Sequence, residues 1–533
     1  MNTTSKPDVT LRINTSFSPA QSLRTMVLNQ SRTEELFLTL KELCLKAREL
    51  LAYLGLFLLI YSVCYVTTYA FYDDYENLYH ADTAGVTSVM VGPVENGRPI
   101  LAYLYKLTFS VVHDLGELRY LRIISIIGIG LCAWLVYLVL RRAGMSYGPA
   151  FLIPIVVFSL PPYQVIVAWS LSAFHPYAIL LSGAAFLLAE RAIASPLTRA
   201  FWLMLLLAAL CELASMMMYQ PAAMMLLFFG AIGIFVQQLS VIESLKRLGM
   251  YSGLIVAAIG VDDISLHVLP AIILGRYSPD ARTQLVQNIP GKVAWFFKQP
   301  LRNALNLVFI SPTTSRAILV GAFIGAGLFL YFKGSTSSRL VKLLVALSLL
   351  PISYVPSLVT VDNFAAYRYL VALGSLIALY LALAIIGFAS LLDHVSLQQI
   401  KGAVIAIALA SSAIAGGVLA AHNVAAEFAI PQYVELTLLN SQLQPVRHQH
   451  PRTIYFVTSS VSDSIAPIVL YDEFGLPSSI KWWNAAPMVY LTLQQSDPAD
   501  KNVQVQVIQE SDIQNLPAGS IVIDMHKLRS ERL

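Results

Sequence analysis

Eleven stretches of this chain run for about 20 predominantly apolar residues, the length a helix needs to cross the roughly 30 Å hydrocarbon core of a bilayer. They fall near 50–71, 119–140, 147–168, 174–190, 200–219, 221–240, 249–272, 316–333, 340–360, 369–391 and 401–422. This pattern leaves little freedom of fold. Inside a bilayer every backbone N–H and C=O must be satisfied within the protein, and apolar runs of this length do so as helices. The expected fold class is a polytopic α-helical membrane protein of about 11 transmembrane helices with a small C-terminal α/β extramembrane domain. Composition agrees: 57% of the 533 residues are hydrophobic and 12% charged, against about 25% charged in soluble domains. An ordinary soluble enzyme and a disordered chain are thereby excluded, and four cysteines exclude a disulfide scaffold. A net charge of +4 gives no reason to expect a nucleic-acid partner.

The placement of Lys and Arg orients the spans, because short cytoplasmic loops are enriched in both. Arg24, Arg32, Lys41, Lys46 and Arg48 precede the first span. Arg141 and Arg142, Arg191 and Arg199, Lys246 and Arg247, Lys333, Arg339 and Lys342, and then Lys401 follow in alternate loops. The N-terminus is therefore expected in the cytoplasm and the C-terminus outside. The first 30 residues lack an apolar core, so no cleavable signal peptide is expected. Residues 1–49 read as a cytoplasmic segment with an interfacial helix over 33–49. Residues 50–422 read as the transmembrane domain, with long outer loops at 72–118 and 273–315. Residues 423–533 read as the outer α/β domain: 424–443 is helical in pattern, and Thr453–Val457, Val503–Ile508 and Ser520–Asp524 have the length and composition of strands. Cys64, Cys132 and Cys211 fall in spans and Cys44 on the inner side, so no disulfide is expected outside.

Several residues carry chemistry. Asp73, Asp74 and Glu76 follow the first span and concentrate negative charge at the outer interface. Carboxylates there can take a proton from a sugar hydroxyl or hold a divalent cation; a solvated helix start accounts for them equally well. Asn96-Gly97-Arg98-Pro99 forms a turn, and arginine suits bidentate recognition of phosphate. Between Arg276 and Arg316 stand Arg276, Arg282, Lys292, Lys298, Arg302 and Arg316 against the single acid Asp280. Such a basic outer segment suits an anionic headgroup, either a bound lipid-linked phosphate or bulk membrane lipid. His175 and Arg368 sit in short outer turns where they can meet a phosphate or sugar hydroxyl. Tyr219-Gln220-Pro221 forms another such turn. Glu212, Asp262 and Asp263 lie inside spans, where ionisable groups are costly and signal function or a buried network. In the tail, Tyr471-Asp472-Glu473 reads as an acidic turn and Lys481-Trp482-Trp483-Asn484 as a packed aromatic pair. No phosphate-binding glycine loop, dinucleotide fingerprint, His-Glu-x-x-His or Cys-x-x-Cys occurs.

A first span ending in Tyr72-Asp73-Asp74, a long first outer loop with Gly97-Arg98-Pro99, and about ten further spans resemble the membrane glucosyltransferases of O-antigen modification and serotype conversion, within the GT-C type of polytopic glycosyltransferases. The resemblance covers the layout of residues 50–390, and its specific motifs cover 72–74 and 97–99. It implies a polyprenyl-phosphate sugar donor, a glycan or lipid-linked glycan acceptor, an acidic residue of the first outer loop as base, basic residues binding the donor phosphate, and inversion by one displacement. It also implies a bacterial inner membrane, with the tail in the periplasm. On that reading Asp73 and Asp74 are the catalytic candidates, and Glu76, Arg98, His175, Arg276 and Arg368 the substrate-binding ones. No cofactor and no resident metal are expected. A glycolipid flippase using Glu212, Asp262 and Asp263, and a glycan polymerase or ligase, are the alternatives.

Overall fold

The computed structural model describes residues 47–195, 197–276, 284–395, 397–449, 453–470, 473–494 and 503–531. The chain divides into two units, Met1–Ala52 and Tyr53–Leu533. Of the first, residues 47–52 are described and are helical. The interfacial helix expected over 33–49 lies outside the described residues except for its last three. All that follows concerns the second unit.

Seven helices among the described residues are long and apolar enough to cross a membrane: Leu118–Arg142, Ser170–Ile193, Arg199–Met218, Val241–Leu274, Thr314–Tyr331, Val371–Asp393 and Gln398–Arg447. Each coincides with one of the expected spans. The other four expected spans differ in kind, so the count of eleven is not reached. Tyr147–Phe158 and Pro161–Ala168 are two helices bent by 61°, because Pro161 and Pro162 remove two N–H donors and start a new helix. The run expected at 221–240 is the shorter Gln220–Val236, which ends in a π-helical turn at Ile232–Val236. That at 340–360 is the 17-residue Thr336–Ile352, followed by a separate turn of helix at Val355–Val359. Hydropathy counts apolar residues without registering such breaks.

The run at 50–71 also breaks, and a buried side chain explains how. The helix ends at residue 60, resumes for Val63–Val66 and then becomes irregular. Carbonyls freed in this way need partners. Arg122, fully buried in the Leu118–Arg142 helix, donates to the Cys64 carbonyl at 3.2 Å and to the Tyr69 carbonyl. Its guanidinium also lies 3.6 Å from the centre of the Tyr69 ring and 4.0 Å from Asp74 Oδ2. Asp74 is itself fully buried and accepts the Phe71 N–H at 3.0 Å. One arginine thus fixes where the first span ends and where the next helix, Asp73–Thr83, begins.

The 72–118 segment is mainly helical, with Asp73–Thr83, Val91–Glu95 and Pro99–Thr108. The stretch Gln398–Arg447 is far longer than the roughly 20 residues that span a bilayer. A π-helical turn at Ala425–Ala429 interrupts it, and Ile430–Leu443 continues into the tail. The tail's three strands, β1 (Thr453–Val457), β2 (Gln504–Ile508) and β3 (Ile521–Asp524), form a parallel sheet in the order β2-β1-β3. Tyr455 pairs with Gln506 on one side and Val522 on the other. Ile454 and Phe456 of the central strand are fully buried. The tail helix Ala485–Gln494 packs on Asp73–Thr83: Tyr490 donates to Asp82, Gln494 Nε2 donates to Asp82 Oδ2 at 3.1 Å, and the Tyr79 and Tyr490 rings lie 5.1 Å apart.

Replacing Asp74 by Ala leaves the Arg122 guanidinium buried without its counter-charge, a change that costs about 3–5 kcal/mol. The expected outcome is a markedly lower thermal unfolding midpoint and a reduced yield of monodisperse protein. A wild-type melting curve for Asp74→Ala would reject this role.

Candidate active site

A cavity of about 980 Å³ gathers residues from six separated parts of the chain, Tyr219 being one of them. Asp73, Glu76 and His80 come from the Asp73–Thr83 helix, and Arg98 from the corner before Pro99. Trp169 and His175 come from the segment after the bent helix pair, Asp362, Phe364 and Arg368 from the 360–369 turn, and Lys481 and Trp483 from the tail.

Local sequence explains each placement. Asp73, Asp74 and Glu76 occupy the first turn of their helix, where the partial positive charge of the helix terminus favours carboxylates. The residue before them, Tyr72, has φ 42° and ψ −108°, a conformation that non-glycine residues rarely adopt and that is held only where surrounding contacts impose it. Here Tyr72 N–H donates to Ser478 Oγ at 3.0 Å, and the Phe71 ring stacks on the Tyr72 ring at 4.0 Å. Gly97 has φ +72° and closes the Val91–Glu95 helix, while Pro99 opens the next. Arg98 is therefore presented at a corner between two helices. The bend at Pro161–Pro162 carries Trp169 and the 3₁₀ turn Ser170–Ser172 beneath the cavity, and His175 starts the next span.

Amide groups and aromatic rings lie against the cations. Arg98 Nε donates to Gln220 Oε1 at 2.8 Å, and its guanidinium lies 5.0 Å from the centre of the Tyr219 ring. Gln220 Nε2 donates to the Asn96 carbonyl at 3.1 Å and to Asp262 Oδ2 at 3.4 Å. The Arg368 guanidinium lies among the Trp169, Phe364 and Tyr369 rings at 4.8, 5.1 and 5.4 Å. Tyr219 OH donates to the Arg368 carbonyl at 2.8 Å, and the Tyr219 ring stacks on His175 at 3.7 Å with 1° between the planes. His175 is 5% exposed, and neither of its ring nitrogens has a hydrogen-bond partner. Buried polar atoms without partners are rare in folded proteins. His175 as a residue lines the large cavity. Glu76 Oε1 lies 3.7 Å from His80 Nε2.

A second, smaller cavity of about 190 Å³ shares Asn96, Arg98, Asp362, Phe364 and Tyr369 with the first. Met216, Ile259, Leu266, Leu285, Pro356 and Val359 give it largely apolar walls, and Asp262 and Asp263 also border it.

Five of the seven candidate residues, Asp73, Glu76, Arg98, His175 and Arg368, line the large cavity. Asp74 does not: it faces Arg122 in the core. Burial pushes its carboxyl up from 3.8 to about 6, against the opposing pull of Arg122 and the Phe71 N–H. Arg276 lies outside the cavity lining and pairs with Glu95 at 3.0 Å, its side chain 59% exposed. No described residue of the basic 276–316 segment lines the cavity. Lys292 donates to the Asp362 carbonyl at 2.5 Å and to Asn363 Oδ1 at 3.0 Å, so it braces the turn that carries Asp362, Phe364 and Arg368. Arg316 donates to Asn306 Oδ1 at 3.1 Å and covers the Phe309 ring at 4.1 Å. Arg282 and Asp280 lie outside the described residues, as do Tyr471 and Asp472. Glu212 is fully buried and lines neither cavity. Sequence reading missed Trp169, and it took Lys481 and Trp483 for packing. Nothing in the local pattern told that the tail returns to residues 72–76. Among the described residues no three His, Cys, Asp or Glu side chains come together as a metal ion would require.

No family model matches the chain, and no curated protein does. Among solved structures, the chain is similar to the oligosaccharyltransferase of Archaeoglobus fulgidus in a complex with zinc and sulfate, at 12% identity and a TM-score of 0.42. The match covers 86% of this chain and 62% of that one.

Two outcomes follow from this geometry. A Cβ at Gly97 would sit 3.4 Å from Gln220 Nε2 and 3.6 Å from Asp262 Oδ2, and the left-handed backbone there costs a non-glycine residue about 1–2 kcal/mol. Gly97→Ala is expected to lower the unfolding midpoint accordingly; an unchanged midpoint would contradict the turn. The raised Asp74 value means that the folded chain holds this proton more tightly than the unfolded one. The proton therefore favours the folded state, an effect that is full below about 3.8 and is lost as pH rises through about 6. The melting temperature of wild type relative to Asp74→Asn should therefore fall as pH is raised across that window. A pH-independent difference would show that Asp74 is not so shifted.

Proposed function

We propose that this chain is a multi-pass membrane glycosyltransferase of the GT-C type. It moves a hexosyl group, glucosyl on the resemblance of its Tyr72-Asp73-Asp74 and Gly97-Arg98-Pro99 motifs, from a polyprenyl-phosphate donor to a cell-surface glycan such as O-antigen. On this reading the reaction occurs on the periplasmic face of a bacterial inner membrane, with the N-terminus in the cytoplasm. The observation that carries the proposal is the shared cavity: carboxylates from the start of the Asp73–Thr83 helix and two ring-bordered arginines line one space, next to a smaller, largely apolar cavity.

The chemistry asks little more of the protein. Asp73 takes the proton of the acceptor hydroxyl, whose oxygen attacks the anomeric carbon of the donor. The bond from that carbon to the phosphate oxygen breaks, and the electron pair leaves with the polyprenyl phosphate. Negative charge grows on the leaving phosphate, and fixed cations there lower the barrier without having to reorganise. Arg98 and Arg368 supply those cations. Glu76 and His175, which line the cavity, are suited to sugar hydroxyls. The isoprenoid chain would leave along the apolar side of the smaller cavity, formed by Met216, Ile259, Leu266, Leu285, Pro356 and Val359. Asp74 and Arg276 have other partners and take no direct part. Attack on the face opposite the leaving group inverts the anomeric carbon.

The test is sugar transfer in proteoliposomes supplied with radiolabelled polyprenyl-phosphate glucose and extracted cell-surface glycan. General-base removal costs about 100-fold to 10,000-fold. Asp73→Asn is expected to lose at least about 100-fold in kcat while melting like wild type, and Arg98→Gln and Arg368→Gln to raise the KM for the donor. Undiminished turnover in Asp73→Asn would sink the assignment. Movement of labelled lipid between leaflets without transfer, dependent on Asp262 or Glu212, would instead favour a glycolipid flippase.

A further inference from the structure

We propose that Glu473, in the C-terminal tail, is a positioning residue for Arg368, which makes the tail a working part of the phosphate site. The inference rests on the assignment of Arg368 to the donor phosphate made above.

Arg368 lies in the short 3₁₀ turn Tyr367–Tyr369. Its main chain is gripped from two directions. Glu473 Oε1 accepts the Arg368 N–H at 2.9 Å, and Oε2 accepts the Tyr367 N–H at 2.7 Å. Tyr219 donates to the Arg368 carbonyl at 2.8 Å. Glu473 is 2% exposed and Tyr219 1%. Hydrogen bonds to an ionised carboxylate are short, strong and directional, and two that share one carboxylate fix an orientation as well as a distance. The turn therefore cannot rotate without breaking buried bonds, so the backbone from which the guanidinium reaches its three rings is fixed.

Glu473 is in turn fixed by its own loop. Gly475, with φ +73°, packs so closely that a Cβ would fall 2.0 Å from the Ile468 carbonyl oxygen. Its N–H donates to the Glu427 carbonyl at 2.5 Å, and the Leu470 N–H donates to the Phe474 carbonyl at 2.8 Å. Glu435 then accepts the Ser478 and Ser479 N–H groups, both at 2.8 Å. The same loop leads directly to Lys481 and Trp483 in the cavity wall. A simple anchor for the tail would have no need to end on the two N–H groups that bear the cavity's cation.

The test is equilibrium binding of farnesyl phosphate to full-length protein in nanodiscs, followed by tryptophan fluorescence, with farnesol as the probe lacking phosphate. Glutamine offers one acceptor oxygen where glutamate offers two, so Glu473→Gln turns an NH₂ toward one of the N–H groups. The expected result is about tenfold weaker binding of farnesyl phosphate with farnesol binding unchanged. Gln442→Leu removes a different tail contact, the pair of bonds to the Asp524 backbone at 3.0 and 2.8 Å. It is expected to leave farnesyl phosphate affinity within about twofold, which separates positioning from general loosening of the tail. If Glu473→Gln does not yield folded protein, Tyr219→Phe loosens the same peptide from the other side and is expected to weaken farnesyl phosphate binding about fivefold. The proposal is overturned if Arg368→Gln weakens phosphate binding while Glu473→Gln or the folded Tyr219→Phe does not, or if Glu473→Gln weakens farnesol and farnesyl phosphate alike. Equal binding of the two probes by wild type, with Arg368→Gln silent, would overturn the donor assignment itself and this proposal with it.

Discussion

The buried contact between Arg122 and Asp74 is the constraint on which the rest of the site depends. A guanidinium and a carboxylate removed from water carry a desolvation penalty that only close pairing and further hydrogen bonds offset. Arg122 meets that demand by taking the Cys64 and Tyr69 carbonyls as well as Asp74, and those carbonyls are free only because the first span stops being helical after Val66. The irregular end of that span and the abrupt start of the Asp73–Thr83 helix are thus two sides of one arrangement. Asp73, next in the chain to a residue locked into the core, is delivered to the cavity with little freedom of its own.

A second level of organisation joins this corner to distant sequence. The Tyr72 N–H reaches Ser478, Asp82 receives bonds from Tyr490 and Gln494, and Glu473 receives the N–H groups of Tyr367 and Arg368. The carboxylate end and the cationic end of the cavity are therefore both tied to the same stretch of tail. Loop regions have few internal contacts with which to fix a functional geometry, and rigid neighbours usually supply what they lack. Here the tail fills that role, with buried carboxylates receiving backbone N–H groups.

Much of the fold could be read from the sequence, because bilayer burial writes itself into long apolar runs and parallel strands into short ones. The seven full-length span helices and the three strands carry local signals of that kind. The departures arose where a local signal was overridden by something it does not encode: the Pro161–Pro162 bend, the π-helical turn at Ile232–Val236, and the carbonyl demand of Arg122. For the site, Asp73, Glu76, Arg98, His175 and Arg368, singled out by residue type on the first loop and in the short turns, share one cavity. Two placements were not legible from residue type. Asp73 and Asp74 are adjacent and chemically identical, yet helical geometry sends one to the cavity and the other to the core. The basic segment looked like a phosphate site by charge count, whereas Lys292 and Arg316 are engaged with backbone and amide oxygens close by. Counting charges cannot tell a cation that binds a ligand from one that braces a turn.

The same distinction bears on the role proposed for Arg98 and Arg368. A charge facing open solvent is screened within a Debye length, about 8–10 Å at ordinary ionic strength, and Arg276, at 59% exposure, is of that sort. Arg98 and Arg368 are flanked by aromatic rings that contribute cation–π attraction. A guanidinium tolerates such surroundings better than an ammonium, because it is more weakly hydrated and presents planar donors in a fixed fork. In a less polar setting each cation acts more strongly on a nearby anion, and its orientation is already set by Gln220 in one case and by the clamped 367–368 peptide in the other. On the proposed reading, a small number of pre-aimed charges can stabilise a departing phosphate more effectively than a larger number of mobile ones on the surface, which would also attract bulk anionic lipid without discrimination.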